Sequence, residues 1–268
     1  MRQSDIDREL ESFYSAGSEG ARLESSSPAG VAEFLRVQTL VRAQLAVLGV
    51  SSPLRILDVG GATGIHSEWL AADGHQVTLI DPVASQVEIA RRVGTFDARV
   101  GDARSLPFDD GEFDAILLFG PLYHLYSRED RIGVLREARR AVRPDGVVMS
   151  AGISRVAVVV YRMIHNVWSD DDDLLSVMKQ GQPRRIDGFP AAHFHTCDEL
   201  ESELREAGLD RVLSEGIEGF GEGVEVLEGR DESVTEAMLV LAERLAAVPG
   251  AKDTSNHLMA WGRRPAAG

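Results

Sequence analysis

The sequence has almost no cysteine. Its one thiol, Cys197, excludes an intramolecular disulfide, and a reducing, cytoplasmic setting is the default expectation for such a chain. Long apolar runs are also missing. The longest, Val156 to Tyr161, falls far short of the roughly 20 residues that span a bilayer, so no membrane partner is expected. The segment Met1-Arg2-Gln3-Ser4-Asp5-Ile6-Asp7 carries no apolar stretch of the kind found in a secretory signal. Basic residues are scarce: 28 Lys and Arg stand against 43 Asp and Glu, a net charge of −15. Neutralising phosphates requires a basic face, which argues against a nucleic-acid substrate. No internal repeat is found.

What is present is ordinary for a globular protein. The 268 residues are 44% hydrophobic and 26% charged, enough for one large α/β domain with an insertion. Residues 1–30 are polar, with apolar islands at Ile6/Leu10 and Phe13/Tyr14. From Val31 to Leu48 apolar residues recur at helical spacing, ended by Gly49 and Pro53. Short apolar runs then alternate with amphipathic segments. Strands are expected at Arg55–Val59, Gln76–Ile80, Ala98–Gly101, Ala115–Phe119 and Val147–Ala151, with helices near Gly64–Ala72, Ala84–Val93 and Arg128–Val142. Runs such as Ile116-Leu117-Leu118-Phe119 read as strands buried on both faces, the pattern of a doubly wound, mostly parallel sheet.

After Gly152 the alternation pauses. Ser154–Trp168 and Asp170–Lys179 read as helices and Gln182–Ala192 as a loop. A helix capped by Thr196 or Asp198 then runs to Gly208. A strand near Arg211–Ile217, a helix from Glu232 to Ala247 and a strand at His257–Gly262 follow. The expected organisation is an N-terminal helical lid over residues 1–50, a core over 51–152, a cap insertion over 153–195, and the rest of the core sheet over 196–268.

The segment Leu57-Asp58-Val59-Gly60-Gly61-Ala62-Thr63-Gly64 takes a strand through a glycine-rich turn into a helix. Glycines there let a backbone approach a ligand, and the helix start offers free N–H groups. The spacing of Gly60, Gly61 and Gly64 is not the G-x-G-x-x-G of dinucleotide binders. It resembles D-x-G-x-G-x-G, the first motif of the class I S-adenosylmethionine (SAM)-dependent methyltransferases, with Ala62 in place of the middle glycine. Four further segments carry the same resemblance in order. They are Leu79-Ile80-Asp81-Pro82, Gly101-Asp102-Ala103-Arg104-Ser105-Leu106-Pro107-Phe108, Phe119-Gly120-Pro121-Leu122-Tyr123-His124-Leu125, and Val142-Arg143-Pro144-Asp145-Gly146. The third of these resembles a G-P-L-Y-H-L segment of a small-molecule subgroup, and the last resembles the family's L-K-P-G-G turn before the fifth strand.

The resemblance implies a seven-stranded Rossmann-like sheet and SAM as cofactor. Asp81 would accept both ribose hydroxyls, which suits one carboxylate with two acceptor oxygens. Asp102 would accept the adenine amino group, with the backbone of Ala103 against the ring. Asp58, Gly60, Gly61, Ala62, Gly64, Pro82, Phe119 and Gly120 complete the cofactor set, although Asp58 reads equally well as an anchor of the glycine turn. His124, at the carboxyl edge of the sheet, could take a proton from an acceptor hydroxyl, or simply bond to backbone; Tyr123 could wall the acceptor or fill the core. Tyr14, His193 and His195 are further acceptor-side candidates, the two histidines by alternation on one side of an extended chain. The H-x-H pair shows no third ligand, so no metal is expected. Cys197 reads as a structural thiol, and His75 and His257 as surface or strand-end residues. His66 could face solvent or a lid.

The expected function is methyl transfer from SAM to a small-molecule acceptor, O-methylation first, in secondary metabolism, by a monomer or homodimer. Two alternatives keep the bound SAM: a cyclisation or rearrangement without methyl transfer, and a regulatory module. The cap mixes aromatic and aliphatic groups (Tyr161, Met163, Trp168, Phe189, Phe194) with Arg155, Arg162, Arg184 and Arg185, which suits a partly apolar, anionic acceptor.

Overall fold

The computed structural model describes residues 3–15, 28–49, 53–164, 171–182, 192–219 and 232–266. Strands β1 (Arg55–Val59), β2 (Gln76–Asp81), β3 (Asp97–Val100), β4 (Phe113–Leu118) and β5 (Val142–Ser154) alternate with α3 (Ile65–Ala72), α4 (Ala84–Val93) and α5 (Arg128–Ala141). Before them lie α1 (Gln3–Ser15) and α2 (Pro28–Ala46). After β5 come α6 (Arg155–Ile164), α7 (Asp171–Gln180), β6 (Phe194–His195), α8 (Cys197–Glu206), β7 (Asp210–Gly216), α9 (Glu232–Leu245) and β8 (His257–Arg263).

The sheet order is β3-β2-β1-β4-β5-β8-β7. All pairs are parallel except those of β8, which runs antiparallel to β5 and β7. The expected seven strands are this path. The two-residue β6 is an eighth that pairs with the end of β5, Ile153 to Phe194 and Ser154 to His195. Part of the segment expected as a cap therefore joins the sheet.

Alternation along the central strands splits the core into two layers. Leu57, Val59, Ile116 and Leu118 face α5 and α8, packing with Leu135, Ala138, Leu200 and Leu204. Ile56, Ala115 and Leu117 face the opposite layer, with Val37 and Val41 of α2 and Trp69 and Leu70 of α3. Both faces are dry, which is why these strands read as unbroken apolar runs.

Caps follow local chemistry. Ser127 accepts the Asp130 N–H at the start of α5, and Thr196, not Asp198, accepts the Glu199 N–H at the start of α8. The polar stretch over residues 1–30 hid a helix: α1 places Leu10, Phe13 and Tyr14 on one side at i, i+3 and i+4. β5 begins five residues before the expected strand, because Val142 pairs with Phe113 ahead of a register shift. Of the expected helix over Ser154–Trp168, α6 (Arg155–Ile164) is described. His165, Trp168, Asp170, Arg184, Arg185 and Phe189 lie outside the described residues. Among those described, no helix is long and apolar enough to cross a membrane.

Candidate active site

The carboxyl ends of β1, β2 and β4 open on a cavity of about 380 Å³. Gly60, Gly61, Ala62, Asp81, Pro82, Asp102, Ala103, Phe119 and Gly120 line it, as do Tyr14, Tyr123 and His124. A switch point at such an edge is where doubly wound sheets bind ligands. Of the expected cofactor set, Gly64 alone does not line the cavity. It caps α3 at φ +92°, packed so that a Cβ would meet the ring of Phe96 at 2.4 Å.

Asp58 lies beneath the glycine turn, 1% exposed, and accepts the Ser67 hydroxyl at 2.7 Å. A Cβ on Gly61 would stand 2.6 Å from the Asp58 carboxylate, so the glycine is required by the aspartate below it. Burial pushes Asp58 up to about 6, against the Ser67 hydrogen bond. Ala62 has φ +49°, a left-handed conformation that costs an L-residue about 1–2 kcal/mol. This is the position where the resembled motif has glycine. Asp145, in place of a glycine of the last motif, also has positive φ, +58°.

Asp81 ends β2. Its Oδ2 accepts the Ala62 N–H at 3.0 Å and its Oδ1 the Val83 N–H at 2.8 Å. The carboxylate is thus aimed across the turn by two backbone donors, each oxygen keeping acceptor capacity. Burial raises its pKa, partly opposed by those two bonds. Asp102 is more open and is gripped by Arg104, whose backbone N–H, Nε and Nη2 donate at 2.8, 2.9 and 2.6 Å. Burial works against ionisation of Asp102, but the Arg104 bonds outweigh it and leave the carboxyl below its usual range.

These charges test which cofactor fits. Among the described residues the cavity wall at the ends of β1, β2 and β3 carries Asp58, Asp81 and Asp102, but one guanidinium, Arg104, already paired. Such a wall suits a cation with hydroxyl and amino donors and disfavours a pyrophosphate. The residues present therefore fit SAM.

A 3₁₀ turn over Pro121–His124 follows β4 at the cavity wall. The ring of Tyr123 packs edge-on against His124, centroids 4.6 Å apart. The Tyr14 hydroxyl lies 2.8 Å from Nε2 of His124. Gln86 on α4 donates from Nε2 to the Tyr14 carbonyl at 2.5 Å, which fixes the end of α1 over the cavity. His66 lines the cavity beside Phe119, rings 5.4 Å apart.

His193 and His195 are not in this wall. They lie behind the turn, 2% and 0% exposed. The His193 backbone N–H donates to the Tyr123 carbonyl at 2.7 Å. His193 Nε2 is 3.3 Å from Glu199, and His195 Nε2 is 3.4 Å from Glu203. Glu199 and Glu203 stand one turn apart on α8 and draw both rings inward. Glu203 is also held by Arg131, whose Nε and Nη2 donate at 3.0 and 2.7 Å, while Nη1 donates to the carbonyls of Leu125 and Tyr126. Burial opposes ionisation of Glu203, yet His195 and Arg131 hold it down at about 2; burial pushes His193 down to about 4. Glu203 is thus the third ligand that the H-x-H pair lacked in the sequence, with the three ligand atoms within 4.8 Å of one another. Its charge is already matched by Arg131, so the cluster reads as a buried ion pair that props the Pro121–His124 turn.

Cys197 is buried, and burial pushes its thiol up to about 12, which suits an inert, packed side chain. His75 Nδ1 accepts the Leu54 N–H at 3.3 Å at the foot of β2. His257 was expected as a surface or strand-end residue. It does begin β8, but it lines the cavity and is bonded to Glu218. Glu33, on α2, lines the cavity as well. Neither was legible as a site residue, because only the folded sheet edge brings them to the cavity.

Comparison with known proteins agrees with the geometry. The methyltransferase domain family matches residues 57–150. The chain is 37% identical over 183 residues to the demethylmenaquinone methyltransferase of Beutenbergia cavernae, covering 67% of this chain and 72% of that protein. It is 33% identical over 162 residues to the ubiquinone biosynthesis O-methyltransferase of Methylocella silvestris, covering 56% of this chain and 62% of that protein, under two thirds of its length. A SAM-dependent methyltransferase structure from Methanosarcina mazei superposes with a TM-score of 0.56 at 16% identity, over 85% of this chain and 98% of that one. With its sheet order, its acidic cofactor wall and these relatives, the chain belongs to the class I SAM-dependent methyltransferases.

Proposed function

We propose that the protein transfers a methyl group from SAM to a hydroxyl oxygen of a small, partly aromatic acceptor, and that Tyr14 and His124 handle the acceptor's proton. The observation that carries this reading is the 2.8 Å contact between the Tyr14 hydroxyl and His124 Nε2 at the cavity wall. When bound, SAM supplies an electrophilic methyl carbon on a sulfonium. Asp81 would hold the ribose hydroxyls, Asp102 the adenine amino group, and the Gly60–Ala62 backbone the rest of the cofactor.

A neutral hydroxyl is a weak nucleophile until its proton has somewhere to go. In this reading the acceptor hydroxyl donates to Tyr14, and Tyr14 donates to Nε2 of His124. The proton ends on the imidazole, and the methyl carbon that bound SAM would supply exchanges its bond to sulfur for one to the acceptor oxygen, with neutral S-adenosylhomocysteine as the leaving group. Phe119, Tyr123 and the end of α1 exclude water and hold the oxygen in line. The names of the relatives, one an O-methyltransferase of ubiquinone biosynthesis and one a demethylmenaquinone methyltransferase, favour an aromatic acceptor. The test is incubation with SAM and a panel of phenols, following S-adenosylhomocysteine (SAH) and methyl ether by mass spectrometry. Formation of both supports the reading; C-methylated products or no SAH would overturn it.

A further inference from the structure

The cavity has a second polar end that the proposed reaction does not use. It lies where β8 begins. Glu218, just after β7, is 3% exposed. It accepts the Ser255 hydroxyl at 2.6 Å and the His257 backbone N–H at 3.0 Å, and its other oxygen meets Nδ1 of His257. Burial opposes ionisation of Glu218, but His257 and Ser255 more than compensate and hold its carboxyl below the usual range. A buried carboxylate that orients an imidazole is the arrangement by which proteins fix a functional histidine.

A second carboxylate approaches the same nitrogen. Glu33 Oε1, on α2, lies 3.5 Å from His257 Nδ1. Glu33 and His257 both line the cavity, next to apolar Val37, Ile217 and Met259. With the imidazole neutral, these three groups carry two negative charges; with it protonated, one. The guanidinium one turn along α2, Arg36, is bonded to Glu215 at 3.0 Å.

The position assigns this end to the acceptor. β8 lies three strand positions from β1, about 14 Å from the glycine turn at usual strand spacing. Asp81 and Asp102 lie the other way, at the ends of β2 and β3. We propose that Glu33 and the Glu218–His257 pair bind a protonated amine of the acceptor. An ammonium group leaving water needs carboxylate partners, and this end supplies a net negative charge with oriented polar groups. A carboxylate or phosphate on the acceptor would meet like charge. The acceptor class is then a phenolic amine: an apolar body with its hydroxyl at Tyr14–His124 and its ammonium at Glu33. This replaces the anionic acceptor that the arginines of the cap suggested; Arg155 in fact binds Glu199 and the Phe194 carbonyl.

The inference rests on the acceptor-side reading of the cavity given above, and its test needs no methyl transfer. Three probes of similar shape, tyramine, 4-ethylphenol and 3-(4-hydroxyphenyl)propionate, are titrated calorimetrically into the SAH-loaded protein at neutral pH. Tyramine is expected to bind about tenfold more tightly than 4-ethylphenol, with the acid weakest. Glu33→Gln should erase the preference while leaving SAH affinity unchanged, which also certifies folding. His124→Ala should keep the preference even where methyl transfer is lost, so the two proposals fall separately. Equal binding of tyramine and 4-ethylphenol, tighter binding of the acid, or a preference that survives Glu33→Gln would overturn the assignment.

Discussion

The hydroxyl of Tyr14 on α1 and Nε2 of His124, in the turn after β4, meet at 2.8 Å across 110 residues of sequence. The contact joins α1 to the cavity wall, and the Gln86 bond to the Tyr14 carbonyl holds it there. Tyr14→Phe keeps the ring and removes only the hydroxyl. Turnover should fall roughly 10- to 100-fold, in the lower range for loss of a proton-transfer group, with SAM affinity unchanged by calorimetry. A variant that turns over at the parent rate removes Tyr14 from the relay.

Asp81 is aimed by the Ala62 and Val83 N–H groups. Asp81→Asn keeps the shape but loses the charge, and it puts a donor where the ribose hydroxyls must donate. SAM affinity should drop by about 2–3 kcal/mol. Calorimetric titration of SAM reads this directly, and near-parent affinity would refute the ribose assignment.

Asp58 gives a pH dependence. Its carboxyl is pushed up to about 6 by burial, so in the cofactor-free protein it ionises between about pH 5 and 7. The ionised form attracts a cation more strongly, so SAM should bind several-fold more tightly at pH 7 than at pH 5. In Asp58→Asn the slope should flatten. The stability sign is opposite. Between about pH 4 and 6 the folded state holds this proton and the unfolded state does not, so the Asp58 contribution to stability falls as pH rises through that window. Thermal melts of parent and variant across it check the sign.

Arg131 and Glu203 are both buried, 2% and 0% exposed at the side chain. Arg131→Met strands a buried carboxylate and should cost about 3–5 kcal/mol by denaturant unfolding. Arg131→Met combined with Glu203→Leu should recover most of the loss. A double variant as unstable as the single one would mean that the charge pair is not what matters there.

The central sheet was legible because both of its faces are dry, so β1 and β4 carry continuous apolar runs, and because Gly60–Gly64 and Asp81 sit at strand ends. The departures from the resembled motifs, Ala62 and Asp145, are legible in the sequence, but the positive φ they adopt is not. Alternation put His193 and His195 on one side of the chain, and their rings do lie 4.6 Å apart. It could not say which side, because Glu199 and Glu203 reach them only once α8 packs. His257 and Glu218 were beyond reach for the same reason. They lie 39 residues apart and meet only because β8 pairs antiparallel with β7. α1 was missed because its apolar residues are few.

The account stands most directly on His124. SAH release by parent and His124→Ala protein is compared on a phenol that the parent methylates, at saturating SAM, with SAM affinity measured alongside. Turnover is predicted to fall about 100-fold or more while SAM binds as before; SAH release at the parent rate would contradict it.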